Sequence, residues 1–131
     1  VQPQLAGRVH FTGFRSDAPH LIGALDINVA PSRGREGLTK TVIEGMAQGV
    51  PAVVSNAGGL PELVSDGVTG KVFPIDDLDK LIDCLSVLAT DKHMRERLGQ
   101  HALEYVTTRL RLSETVEQTK ALYRHLLNHH E

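Results

Sequence analysis

Two glutamates and a glycine-bearing loop are the residues best suited to chemistry. Residues 31–48 read Pro-Ser-Arg-Gly-Arg-Glu-Gly-Leu-Thr-Lys-Thr-Val-Ile-Glu-Gly-Met-Ala-Gln, and seven residues separate Glu36 from Glu44. Apolar side chains at Val42, Ile43, Met46 and Ala47 have helical spacing, which predicts a helix with Thr39 at its N-cap or in its first turn. The amides of Gly37, Leu38 and Thr39 then sit at a helix N-terminus. That end carries partial positive charge and unpaired donors, and it suits phosphate. Glu44 lies about one and a half turns further on. Helical side chains lean back toward the N-terminus, so its carboxylate reaches toward the same end. A carboxylate there repels phosphate but accepts two hydrogen bonds from a ribose diol. Glu36 precedes the helix and faces whatever lies beyond the phosphates. On spacing alone, two glutamates flanking a helix start more usually complement the helix dipole in solvent than bind a ligand.

The elements around this loop follow an α/β alternation. Asp26–Ala30 predicts a short buried strand that delivers the chain to Pro31-Ser32. The helix Thr39–Gln48 ends at Gly49, a natural C-cap. Pro51–Ser55 predicts a second buried strand, and Asn56–Gly59 a second tight turn. Leu60–Val64 then starts a helix with Pro61 in its first turn. The amides from Gly58 to Leu60 would lie near the first set as further contacts, or Gly58-Gly59 serves only the turn. Upstream, Arg8–Phe14 predicts a strand closed by Thr12-Gly13, and Ser16 or Asp17 a cap for a helix to about Ala24. Downstream come a turn and strand over Asp66–Pro74. Three helices follow, capped by Asp76 or Asp77, by Asp91 and by Ser113. Four strands alternating with helices predict a Rossmann-like, doubly wound parallel sheet with a helical C-terminal tail. Ligands of such sheets bind at the carboxyl ends of the strands, where the glycine loop falls.

The totals exclude several function classes. A chain of 131 residues suggests one domain, and 40% hydrophobic with 23% charged residues is ordinary for a globular protein. A net charge of -2 gives no electrostatic case for nucleic acid. The aromatics are Phe11, Phe14, Phe73, Tyr105 and Tyr123, too few for a base-stacking platform. No apolar run approaches membrane-spanning length, and no charged-then-apolar leader opens the chain. The single cysteine, Cys84, forms no internal disulfide and fits a reducing compartment; its place in an apolar helix stripe predicts packing rather than reactivity. His125 and His129 stand four apart at the end of the last helix, where a solvated helix end is expected rather than a metal site. Arg33, Arg35 and Lys40 fit two roles equally, neutralising a diphosphate or forming a solvated rim.

The stretch as a whole resembles the donor-binding signature of family-4 retaining glycosyltransferases, the glycogen-synthase-like GT-B enzymes. Pro31-Ser32, Glu36, Glu44, Met46-Ala47, Gly49, Pro51, Gly58-Gly59 and Glu62 match that signature. The upstream VHFTGF and LDINVAPS and the downstream DGVTGKVFP are also similar, so the likeness runs from about Val9 to Pro74. It implies that Gly13 and Phe14 border a nucleobase and that Glu44 holds ribose hydroxyls. Gly37, Leu38 and Thr39 would offer amides to the diphosphate, with Gly58 and Gly59 beside them. Glu36 would be the catalytic residue, holding the donor sugar and steadying positive character at its ring. The implied donor substrate is a nucleotide-diphosphate sugar, with transfer of a hexosyl or related sugar to an acceptor hydroxyl and no metal or other cofactor. Two departures stand out. Gly37-Leu38-Thr39 replaces the family's Gly-Phe-Gly, and Gly45 replaces an alanine at a helix-propensity cost of about 1 kcal/mol.

The likeness also implies missing parts. Residues 1–131 would be part of a C-terminal donor domain. Its first two strands would be absent from between Arg8–Phe14 and Asp26–Ala30, leaving unpaired sheet edges. The N-terminal domain that binds a glycan, lipid-linked or small-molecule acceptor would be absent too, so the isolated fragment is expected to be inactive. The expected location is cytoplasmic, with the inner face of the membrane open to a complete protein and no membrane insertion by this segment. Competing functions are a non-catalytic nucleotide-sugar-binding module and a GT-B nucleotide-sugar epimerase relative. A phosphorelay receiver would need an acidic pair after the first strand, which this chain lacks.

Overall fold

The computed structural model describes residues 3–34 and 37–128. A short 3-10 helix, Pro3–Leu5, precedes α1 (Ala18–Ile22), β1 (Asn28–Ala30), α2 (Lys40–Met46), β2 (Ala52–Ser55) and α3 (Leu60–Leu63). Then come β3 (Gly70–Phe73), α4 (Leu78–Thr90), α5 (Lys92–Arg109) and α6 (Leu112–Asn128). The sheet is three-stranded, in the order β1-β2-β3. Both pairs are parallel, with Ala30 opposite Val54 and Val54 opposite Val72.

Strand β2 is the spine. All four of its residues are buried, as a central parallel strand covered on both faces must be. Successive side chains point to opposite faces. Ala52 and Val54 join Val42 and Met46 of α2, Leu60 and Leu63 of α3 and Ala102 of α5. Val53 faces the other way, with Phe73, Leu88 of α4 and Leu98 of α5. Met46, Leu60, Leu88 and Leu98 are wholly buried, each worth about 1.5–3 kcal/mol relative to an exposed side chain. Cys84 is partly buried against the second cluster, and that burial pushes its thiol pKa up, away from reactivity.

Several sequence expectations are corrected. Arg8–Phe14 forms no strand: Val9 is exposed, and Phe11 and Phe14 are 84% and 98% exposed. The alternating pattern needs a neighbouring strand to donate its hydrogen bonds, and β1 has β2 on one side only. The sheet therefore has three strands rather than four. Helix α1 stops at Ile22 rather than Ala24, and Asp17 does not cap it through its side chain. Both Asp17 carboxylate oxygens instead accept from Arg15, at 2.8 and 2.7 Å, and the guanidinium holds the carboxyl below its usual pKa range. Helix α6 begins at Leu112, ahead of its expected cap Ser113.

The two sheet edges differ. Beyond β3, the Asp66 carboxylate accepts from the Val72 amide at 2.9 Å, closing that edge with the chain's own turn. At the other edge Val29 is 39% exposed. Helix α6 buries no residue, and Leu112, Leu122, Tyr123 and Leu127 are all exposed.

Candidate functional site

Three loops leave the carboxyl ends of the strands, and polar side chains lace them together. The Ser55 hydroxyl, at the end of β2, donates to the Ser32 carbonyl at 2.6 Å and is 1% exposed. Asn56 accepts from the Ile75 amide at 2.8 Å. Arg33 Nε lies 2.7 Å from Asp76 Oδ1. A cavity of about 160 Å³ opens beneath these links, floored by Phe73 and Leu81.

The glycine loop reaches α2 through Thr39, which sits at the N-cap in an extended conformation (φ -73, ψ 114). Gly37 and Leu38 are solvent-exposed. The second glycine turn packs directly on them: a β-carbon on Gly59 would stand 3.3 Å from the Gly37 carbonyl carbon and 3.6 Å from the Leu38 nitrogen. Gly59 in turn is the N-cap of α3, and Gly58 has a positive φ of 53. Of the two expected amide sets, Gly37 to Thr39 and Gly58 to Leu60, Gly59 brings Gly37 and Leu38 into proximity, while the Leu60 amide is not available because it donates to the Ala57 carbonyl of its own turn at 3.1 Å.

Glu44 sits on α2 with its side chain 22% exposed and Oε1 3.4 Å from Lys40 Nζ. Lys40 is the first residue of α2, so this carboxylate leans toward the helix start. The described cations of the loop are thus both engaged, Arg33 with Asp76 and Lys40 with Glu44. Glu36 and Arg35 lie outside the described residues, as does His129. Gly13 turns with a φ of 62, and the Phe14 ring, 98% exposed, is not seated against the body of the chain. Among the described residues, no group of three or more His, Cys, Asp or Glu could hold a metal ion. No helix among them is long and apolar enough to cross a membrane.

Gly45 has a reason in packing. A β-carbon there would stand 2.7 Å from Asn28 Nδ2 and 3.2 Å from Ile22 Cγ2. Asn28 is a buried polar residue at the start of β1, and its amide donates to the Thr41 carbonyl of α2 at 2.9 Å. The glycine lets α2 lie close to β1 while Asn28 bridges them.

Ser55, Asn56, Asn28 and Asp76 escape sequence reasoning. For Ser55 and Asn56 a signal exists, since they are polar residues closing an otherwise apolar strand. Asp76 is masked by Asp77: both read as caps, but only Asp77 caps α4, accepting from the Lys80 amide at 2.9 Å.

The profile of the family described as glycosyl transferases group 1 matches residues 1–91. This chain belongs to that family. It is 31% identical over 125 residues to the lipopolysaccharide core biosynthesis mannosyltransferase LpsB of Rhizobium meliloti, covering 94% of this chain and 35% of that protein. It is 32% identical over 124 residues to the alpha-D-kanosaminyltransferase of Streptomyces kanamyceticus, covering 93% and 32%. Among solved structures, Anabaena HepE in complex with UDP-glucose superposes with a TM-score of 0.84 at 28% identity, covering 92% of this chain and 34% of that one. The chain thus spans about a third of the length of these relatives. Its fold is that of the GT-B neighbours, a parallel sheet with flanking helices.

Proposed function

We propose that this group 1 chain supplies the donor-binding part of a retaining glycosyltransferase. A hexosyl or related sugar would move from a nucleotide-diphosphate sugar to an acceptor hydroxyl. The observation that carries the reading is the contact of Gly59 with Gly37 and Leu38, because it gathers two glycine segments at the carboxyl ends of the strands. Backbone amides aimed at a leaving diphosphate stabilise the charge that develops there, without reorganisation at the moment of reaction. In this reading the charge is met by amides rather than by a metal ion. Glu44 takes the ribose hydroxyls, exchanging its contact with Lys40 for two charge-assisted hydrogen bonds. Glu36 takes the donor sugar. Acceptor binding falls to regions of the relatives that this chain does not match.

Calorimetric titration with a panel of nucleotide-diphosphate sugars tests the reading. The chain should bind at least one of them, and Glu44→Ala should weaken that binding at least about tenfold, since hydrogen bonds to a charged group contribute about 1.5–3 kcal/mol each. Its melting temperature should move by less than about 2 °C, because an i,i+4 ion pair whose lysine is exposed and whose contact is long, 3.4 Å, contributes only about 0.3–0.5 kcal/mol. Equal affinity in both proteins, or no binding by the parent chain, would overturn the assignment.

A further inference from the structure

The glycine loop is sparsely packed, yet one of its ties uses an aspartate in a conformation that side chains seldom adopt. A β-carbon on Gly34 or Gly37 would meet nothing within 4 Å, so packing does little to hold Gly34, and Gly37 is approached only by Gly59. Asp76 has a φ of 65, and it is the one non-glycine residue with positive φ among the described residues. Aspartate tolerates the left-handed region better than most residues, but the conformation is still unfavourable. Here the turn splits two adjacent acids. Asp77 is left to cap α4, while Asp76 meets Arg33 at 2.7 Å across the cavity mouth.

We propose that Arg33 and Asp76 are a positioning pair for the glycine loop. The β3–α4 turn presents Asp76 so that its carboxylate holds Arg33, and with it the descending loop, at a fixed distance from β3. Three ties then act in series. Ser55 holds Ser32 at the loop's root, Asp76 holds Arg33 at its shoulder, and Gly59 lies against Gly37. On this view Arg33 is committed to the loop's shape and does not neutralise a diphosphate. The role in donor binding rests on the function proposed above; the mechanical role does not. Both side chains are largely exposed, 82% and 65%, and an exposed pair shifts an equilibrium by at most about fivefold. The pair therefore sets how much of the time Arg33 and Gly34 are held against the β3–α4 turn and contributes little to global stability.

Three variants separate the parts. Asp76→Asn keeps the left-handed preference and removes the charge. Asp76→Gly keeps the turn and removes the side chain. Arg33→Met removes the partner. Backbone 15N order parameters at Gly34, Gly37 and Leu38 should fall in all three, from about 0.85 toward 0.6. Melting temperatures should stay within about 2 °C of the parent. Affinity for UDP-glucose, the titrant, should weaken about threefold to fivefold. Arg33→Lys keeps a charge opposite Asp76 without disturbing the turn and should retain most of both readouts, which separates loss of the ion pair from loss of the Arg33 side chain. Unchanged order parameters overturn the proposal. So does tighter UDP-glucose binding by Asp76→Asn with weaker binding by Arg33→Met, the signature of an arginine that serves phosphate. If the order parameters respond but the parent binds no nucleotide sugar, the pair stands and the function fails. If the parent binds and the order parameters do not respond, the function stands and the pair fails.

Discussion

The two ends of strand β2 are built on different principles. At its amino end, elements are pressed together backbone to backbone. A β-carbon on Gly99 of α5 would fall 1.9 Å from the Gly49 carbonyl oxygen and 3.5 Å from Pro51 Cδ. Gly49 itself turns out of α2 with a φ of 75. At its carboxyl end the two glycine segments touch only at Gly59, and side chains tie the loops through Ser55, Asn56 and the Arg33–Asp76 pair. Glycines occur at both ends: a β-carbon on Gly99 would collide with backbone at 1.9 Å, whereas one on Gly34 or Gly37 would meet nothing within 4 Å and only Gly59 is close, 3.3 Å from Gly37. The jammed end fixes how the helices sit on the sheet. The carboxyl end leaves a cavity of about 160 Å³ and exposed backbone at Gly37 and Leu38, as a binding surface requires. Stability and binding are thus separable along one strand, and identical glycine-to-alanine changes should tell the two ends apart.

The largest effect should come from Gly99→Ala. Its new methyl group meets backbone rather than a movable side chain, so α5 must lift from the turn. Leu98 and Ala102, both wholly buried, would lift with it. Overpacking of this kind typically costs 1–3 kcal/mol and occasionally more, and about 3 kcal/mol is expected here. The melting temperature should fall by about 10 °C. A fall below about 2 °C would mean that the amino end is as yielding as the carboxyl end, and the contrast would collapse.

Gly45→Ala should give a smaller effect, with a sign that propensity alone gets wrong. In an open helix interior the change gains about 1 kcal/mol. Here the methyl group displaces the Asn28 amide from the Thr41 carbonyl, and a buried amide without its partner costs about 1–3 kcal/mol. A net loss of about 1 kcal/mol is expected in urea denaturation. In an Asn28→Ala background the 2.7 Å clash is gone and only Ile22 Cγ2, at 3.2 Å, has to give, so the same Gly45→Ala change should cost clearly less than in the parent. Additivity of the two substitutions would sever the proposed link between helix and strand.

How far the sequence carried this picture depends on where each element draws its support. Helix α2, strand β2 and the two glycine turns were legible because their signals are local: apolar spacing, a buried run and turn residues. The expected strand at Arg8–Phe14 was not, because a strand draws its hydrogen bonds from a neighbour, and no periodicity can report whether that neighbour is present. The same limit hid Asn28, whose partner Thr41 lies thirteen residues away. It also hid the split of Asp76 from Asp77, since both aspartates satisfy the local rule for a cap. Glu44 was legible in its lean toward the helix start, but its contact with Lys40 follows from side-chain geometry on a half-buried face of the helix.

The smallest expected effect is the most useful control. Gly34→Ala adds a methyl group where nothing lies within 4 Å, and Gly34 is not among the glycines with positive φ. The folded chain should accept it without strain. The unfolded chain loses backbone freedom, so the change should be neutral to slightly stabilising, by about 0.4–1 kcal/mol. Urea denaturation with an unchanged m-value measures it directly. A loss of 1 kcal/mol or more would show that the loop beside Arg33 is shaped by contacts as tight as those at Gly99. The carboxyl end would then owe its form to packing, and the side-chain ties from Ser55, Asn56 and Asp76 would be incidental to it.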